Sequence, residues 1–318
     1  KSRYTMKKYV DKIRLSIING SFFSVIGHAL KKRWKIHFIS NNKVLDYQMQ
    51  DLVFKKLKRE FGYIIDRFSI SEGVSHQHPK IIWVLWLQGI EQAPELIQAC
   101  VSSMKKNLST YEVRVLNEEN INKYVDIPEK VVEKWEKGII YNAHFSDLVR
   151  VSILSQYGGT WIDSTVLCTA KKEPKYLEEP LFLYKSLLEG SDRVVAGNWL
   201  ISAEANNPII LLVKKLLYAY WDKKNVADHY YFFHMFFTMA TEKFPEIWEK
   251  VPSYNDVSPH MLSFEIKDRY CEDRYNEIIR MSDFHKLNHK EGGLKINDGS
   301  FYDIVIHKKN SNSCKNYI

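Results

Sequence analysis

Two carboxylates and a guanidinium lie close together in this chain, at Asp147, Arg150 and Asp163. Asp147 and Arg150 are three apart, which puts them on one helix face, and Phe145, Leu148, Val149, Val151, Ile153 and Leu154 make that helix apolar on nearly every side. Charges in such a helix must be paired or put to use. They fit either a structural ion pair or two groups pointing into the crevice at the strand ends, where open α/β sheets bind ligands. Gly158-Gly159 stops the helix, Thr160-Trp161-Ile162 begins a strand, and Asp163 lies along it or just beyond. An Asp there can form a turn or hold a nucleotide or its metal. Asn198 in an apolar strand is a candidate ligand contact. Ser282 to Lys290 gathers His285, His289 and two lysines, either as a basic surface loop or as ligand-holding groups. The aromatic stretch Asp228 to His234 reads as core or as the wall of a site.

These residues need a scaffold. Lys80 to Trp86 is an apolar run ended by Gln88-Gly89, the pattern of a buried parallel strand. A helix is predicted from about Ala93 to Asn107, with Pro94 near its start, then a strand over Tyr111 to Leu116 and two further helices before Gly138. The alternation of strand and helix predicts an α/β fold with a parallel sheet. Asn206-Asn207-Pro208 reads as a turn before a helix starting near Ile209. Residues 1–75 form a basic helical N-terminal region and residues 76–318 the α/β domain. In the former, Leu52, Val53, Leu57, Phe61, Ile64 and Ile65 recur at helical spacing among lysines, either on a packed helix with a solvated basic face or on a cationic surface that docks on anionic lipid.

The formal charge of +8 concentrates in the first 60 residues, at positions such as Lys7, Lys8, Lys12, Arg14, Lys31, Lys32, Arg33, Lys35 and Lys58. No nucleic-acid-binding motif accompanies it, which argues against that class of partner. The 4 cysteines form no CxxC pair, against a zinc module and a disulfide scaffold, and suit a reducing compartment. No apolar run approaches the ~20 residues of a membrane span, Ile17 to Leu30 being interrupted by polar residues, and no secretory signal is visible.

The combination Ser146-Asp147, Arg150, Tyr157-Gly158-Gly159 and Trp161-Ile162-Asp163 resembles the capsular polysaccharide synthesis family of glycosyltransferases. Those are similar to yeast-type sugar transferases with a DXD motif and to clostridial glucosylating toxins. Lys80 to Gly89 looks like the family's first strand and Asn198 to Ser202 like a later one. The resemblance covers about residues 76–290. It implies a GT-A (Rossmann-like) fold and transfer from a nucleotide sugar, usually UDP-linked, with retention of anomeric configuration. It also implies donor-binding roles. Trp83 or Trp86, with Gln88 beside them, would meet the base, and Asp147 and Arg150 would hold the sugar hydroxyls and phosphate. Asp163 would be the first DXD carboxylate.

The second acidic position of that motif is Thr165, and a threonine hydroxyl is a poor ligand for a hard divalent cation. If Mn²⁺ or Mg²⁺ binds, the resemblance assigns it to Asp163 and a C-terminal histidine, His285, with His289 and His307 as alternatives. Lys290 would meet the diphosphate. The expected partners are a UDP-sugar donor and a lipid-linked oligosaccharide acceptor. The expected location is cytoplasmic, peripheral at the inner face of the cell membrane. The competing expectation, motivated by Thr165, is a non-catalytic nucleotide-sugar-binding or scaffold protein on a decayed transferase fold.

Overall fold

The computed structural model describes residues 43–70, 76–186, 192–288 and 298–307. Its first strand, β1 (Ile81–Leu85), is apolar on both faces. Ile82 and Val84 join one buried cluster, while Trp83 and Leu85 join another. Successive strand residues point to opposite faces, so a strand with no polar face must be covered on both sides. Helix α1 (Lys43–Asp66) precedes β1, helix α2 (Glu95–Asn107) follows it, and strand β2 (Glu112–Leu116) then pairs parallel with β1. The predicted strand–helix–strand order is thus present. Of the two helices expected before Gly138, one forms, α3 (Glu129–Glu136), preceded by a single 3₁₀ turn at Ile121–Lys123.

Helix α4 (Asn142–Tyr157) leads into β3 (Gly159–Ile162), which pairs parallel with the other side of β1. Strands β5 (Leu181–Lys185) and β6 (Ala196–Ala203) complete the sheet, with β6 antiparallel to both β3 and β5. The order is β2-β1-β3-β6-β5, and the fold is α/β as expected. A separate two-stranded ribbon pairs β4 (Val166–Cys168) antiparallel with β7 (Phe284–Lys286), bringing the end of the chain to the segment that follows β3.

One sheet face is covered by α4 together with α5 (Pro208–Lys223) and α6 (Phe232–Lys243). The predicted turn before α5 is also its cap, the Asn207 side chain accepting from the backbone N–H of Ile209 at 3.1 Å. Helix α1 contributes Phe54, Leu57, Phe61 and Ile64 to the same cluster, and Phe61 meets the rings of Tyr220 and Phe236 at 5.7 and 5.5 Å. Two of its lysines reach other elements, Lys56 pairing with Asp228 at 2.6 Å and Lys58 with Glu242 at 2.8 Å. The expected helical character of residues 1–42 lies outside the described residues, within which no helix is long and apolar enough to cross a membrane.

Candidate functional site

Two glycines deliver the site. Gly158 and Gly159 have φ of +68° and +90°, in the left-handed region that favours glycine. A β-carbon on Gly158 would lie 2.4 Å from the Gln77 carbonyl, and one on Gly159 would lie 2.8 Å from the Ile81 carbonyl. The chain therefore reverses from α4 into β3 in a space with no room for a side chain. It emerges at the C-terminal edge of β1 and β3 with Asp163 as its first residue past the strand.

At that edge Asp147, Arg150 and Asp163 form one hydrogen-bonded network. Arg150 donates from Nη1 to Asp147 Oδ1 at 2.6 Å and from Nη2 to Asp163 Oδ1 at 2.8 Å. Its guanidinium lies against the rings of Trp161 at 5.0 Å and Phe233 at 5.7 Å. The Trp161 indole N–H donates to Asp163 Oδ1 at 3.0 Å, and the Asn198 amide donates to Asp147 Oδ1 at 2.9 Å. The side chain of Arg150 is only 4% exposed and that of Asp147 10%, whereas Asp163 retains 24%. The ion pair that the sequence allowed is therefore present, with Asp163 joined to it. Arg150 is a buried clamp bonded to both carboxylates, and Asp163 is the more exposed of the two.

The second cation on Asp163 is Lys286. Its ammonium lies 3.1 Å from Asp163 Oδ2 and donates to Thr165 Oγ1 at 2.5 Å. The β4–β7 ribbon makes this contact, since Lys286 is in register with Val166, the residue after Thr165. Burial would raise the Asp163 pKa, but Lys286, Arg150 and the Trp161 N–H outweigh it and hold the carboxyl below the usual range.

Alternation along β7 decides the fate of its neighbour. Lys286 faces Asp163, so His285 points to the opposite face, where it is fully buried and its Nε2 meets Thr169 Oγ1 at 2.9 Å. Burial lowers its pKa to about 4. The structure thus separates His285 from the Asp163 carboxylate with which it was expected to share a metal. His307 is further off in function, being held by Asp303 at 3.1 Å and Glu95 at 2.8 Å. His289 and Lys290 lie outside the described residues.

The two tryptophans part ways. Trp83 is fully buried, its indole N–H donating to the Gly158 carbonyl at 3.0 Å, so the fold places it in the core against the glycine turn. Trp86 follows β1 at the same edge as Asp163 and is half-buried against the cluster containing Leu167 and Leu287, with Gln88 exposed beyond it. Sequence reasoning missed Lys286, Trp161 and Phe233 as members of the network. The aromatic stretch that read as core or as the wall of a site divides, with Phe232 and Phe233 buried and Tyr230 and Tyr231 exposed just before α6. The tract containing Lys286 was visible as a cluster of basic side chains. Its strand register, which selects one lysine from that cluster, was not.

A divalent cation of the kind the resemblance implies finds a poor donor set here. Among the described residues no three His, Cys, Asp or Glu side chains gather as metal ligands. Both oxygens of Asp163 already face nitrogen donors, and the third motif position offers a hydroxyl that accepts from an ammonium.

Comparison with known proteins agrees with the residue pattern. The capsular polysaccharide synthesis protein family matches residues 32–305, a span that includes all of α1 and the whole sheet, and the chain belongs to that family. Over 175 residues it is 27% identical to the O-glycosyltransferase braB of Annulohypoxylon truncatum, a stretch that is 48% of this chain and 41% of that protein. Among solved structures it is similar to the PaToxG glycosyltransferase, with 16% identity and a TM-score of 0.38 over 65% of this chain and 84% of the other. It is also similar to a transferase solved as a double cysteine-to-serine mutant, with 12% identity and a TM-score of 0.30 over 59% and 94% of the two chains.

Proposed function

We propose that this member of the capsular polysaccharide synthesis family is a glycosyltransferase that moves a sugar from a UDP-sugar to a surface-polysaccharide precursor, with retention at the anomeric carbon. The observation that carries the reading is the network Asp147–Arg150–Asp163–Lys286 at the C-terminal edge of a parallel sheet segment, the place where such sheets bind ligands. Two fixed cations and two fixed carboxylates, part-buried, suit a ligand with both an anionic diphosphate and sugar hydroxyls. Asp163 and Asn198 offer acceptors and donors to the hydroxyls, and the half-buried face of Trp86 offers a surface to the base.

In the proposed step the bond between the anomeric carbon and the phosphate oxygen breaks, its electron pair remaining on phosphate. The acceptor hydroxyl forms the new bond from the same side, and its proton passes to the departing phosphate oxygen. Charge develops on the leaving group, so positive groups preorganised beside it lower the barrier. The acceptor is a lipid-linked oligosaccharide, reached from the cytoplasmic membrane face with help from the basic N-terminal residues.

Calorimetric titration of the full chain with UDP, GDP and their common sugar conjugates tests the donor class. UDP and its conjugates should bind, with GDP at least tenfold weaker. Preference for GDP would overturn the UDP assignment, and binding of nucleotide without sugar release from any conjugate would favour the scaffold reading.

A further inference from the structure

We infer that the Lys286 ammonium takes the place of the divalent cation at this motif, so that the donor diphosphate is bound and discharged without metal. The inference rests on the glycosyltransferase reading and concerns how that site carries its charge. Its first support is composition. A motif with two carboxylates presents two negative charges and suits a divalent cation, whereas Asp163-Ser164-Thr165 presents one, which a single ammonium matches.

The second support is geometry. Lys286 lies between the first and third motif positions, 3.1 Å from Asp163 Oδ2 and 2.5 Å from Thr165 Oγ1, where a cation bridging the motif would sit. A divalent ion bonded to Asp163 Oδ2 would stand within a few ångströms of that ammonium, and like charges at such separation repel strongly in a part-buried site. The remaining ligands that could hold the ion against that repulsion are lacking among the described residues, with His285 turned to the far face of the ribbon.

The third support is reach. An ammonium has three N–H donors, and Asp163 and Thr165 engage two. The side chain is 23% exposed, so the third can meet a phosphate oxygen approaching from solvent. Lysine binds phosphate as a point charge and needs no second carboxylate to hold it in place. In the transfer step Lys286 neither gives nor takes a proton. It stabilises the electron pair left on the phosphate when the bond to the anomeric carbon breaks, and the acceptor's proton still goes to that oxygen.

The test is calorimetry of the full chain with UDP and UDP-glucose, in EDTA and again in excess Mn²⁺, with donor turnover measured in parallel. The wild type should bind with affinities that agree within twofold in the two conditions. Lys286→Gln should weaken binding at least tenfold in both, Lys286→Arg should restore most of it, and melting temperature should confirm that each variant is folded. The double change Thr165→Asp with Lys286→Ser should make binding respond to Mn²⁺. Wild-type affinity that rises tenfold or more with Mn²⁺, or a Lys286→Gln variant that binds as the wild type does, would overturn the lysine assignment while leaving the transferase reading intact. Absence of binding to any nucleotide in either condition would overturn both.

Discussion

At the scale of single residues, the site is governed by charges that are nearly all satisfied by one another. Arg150 is the member with the least freedom, because it is buried and bonded to two carboxylates at once. Replacing it with Met leaves Asp147 and Asp163 facing each other without their shared partner. Removing one partner of a buried ion pair costs on the order of 3–5 kcal/mol, and chemical denaturation of Arg150→Met should show a loss of that size. Titration adds a second expectation. His285 has a folded pKa near 4 against an ordinary value of 6.5, so it stays neutral in the folded chain while the unfolded chain takes up a proton. The unfolded state binds more protons between those values, and stability must therefore fall as pH drops from about 6.5 toward 4. Asp163 is also shifted below its ordinary value, so its contribution is full above that value and is lost, in the same direction, only at stronger acidity. Burial lowers the His234 pKa to about 4 as well, so a His285→Gln variant should lessen the first slope without abolishing it, and an unchanged slope would show that His285 does not contribute. The residues on α4 and Asp163 were legible in the sequence because burying charge in an apolar helix has so few acceptable outcomes. The choice between Trp83 and Trp86 was not legible, because an aromatic in an all-apolar strand is fixed by which face it occupies, and for Trp83 that face is the core.

At the scale of elements, the turn from α4 to β3 fixes where Asp163 emerges. Gly158→Ala would force a β-carbon to 2.4 Å from a backbone oxygen in a left-handed conformation, and neither backbone segment can move without disturbing β1 or β6. The expected loss is about 2 kcal/mol or more, read as a lower melting temperature. A variant as stable as the wild type would mean the turn is looser than the glycine geometry implies. This turn was readable because helix, glycines, strand and Asp are contiguous. The β4–β7 ribbon was not. Its strands are three residues long, lie far apart in sequence and carry no distinctive pattern. A shift of one residue in such a pairing exchanges the two faces, so only the register could tell that Lys286, and not the histidine the resemblance implied, faces Asp163.

At the scale of the whole molecule, helix α1 belongs to the main hydrophobic cluster through Phe54, Leu57 and Phe61, and the family match extends across all of it. Truncation through residue 70 would strip these side chains from Tyr220 and Phe236 and should give an unstable protein. Truncation of residues 1–42 spares them while removing Lys7, Lys8, Lys12, Arg14 and the basic run from Lys31 to Lys35. If the basic N-terminal residues serve a membrane surface, the shorter truncation should lower co-sedimentation with anionic vesicles several-fold and leave melting temperature nearly unchanged. Equal vesicle binding by both proteins would refute that use of the charge. Alternation of strands and helices made the α/β class legible from the chain alone. The antiparallel entry of β6 was hidden, since nothing local in an apolar strand records its direction.

The central claim, that the network around Asp163 transfers sugar from a nucleotide donor, is tested most directly by the release of UDP from UDP-sugars by the full chain and by its Asp163→Asn variant. The account predicts release by the wild type with at least one donor and a rate lower by a factor on the order of 100 in the variant, as expected when one fixed charge is removed from a preorganised site. Equal rates in the two proteins, or binding of UDP-sugars by the wild type with no release from any of them, would contradict it.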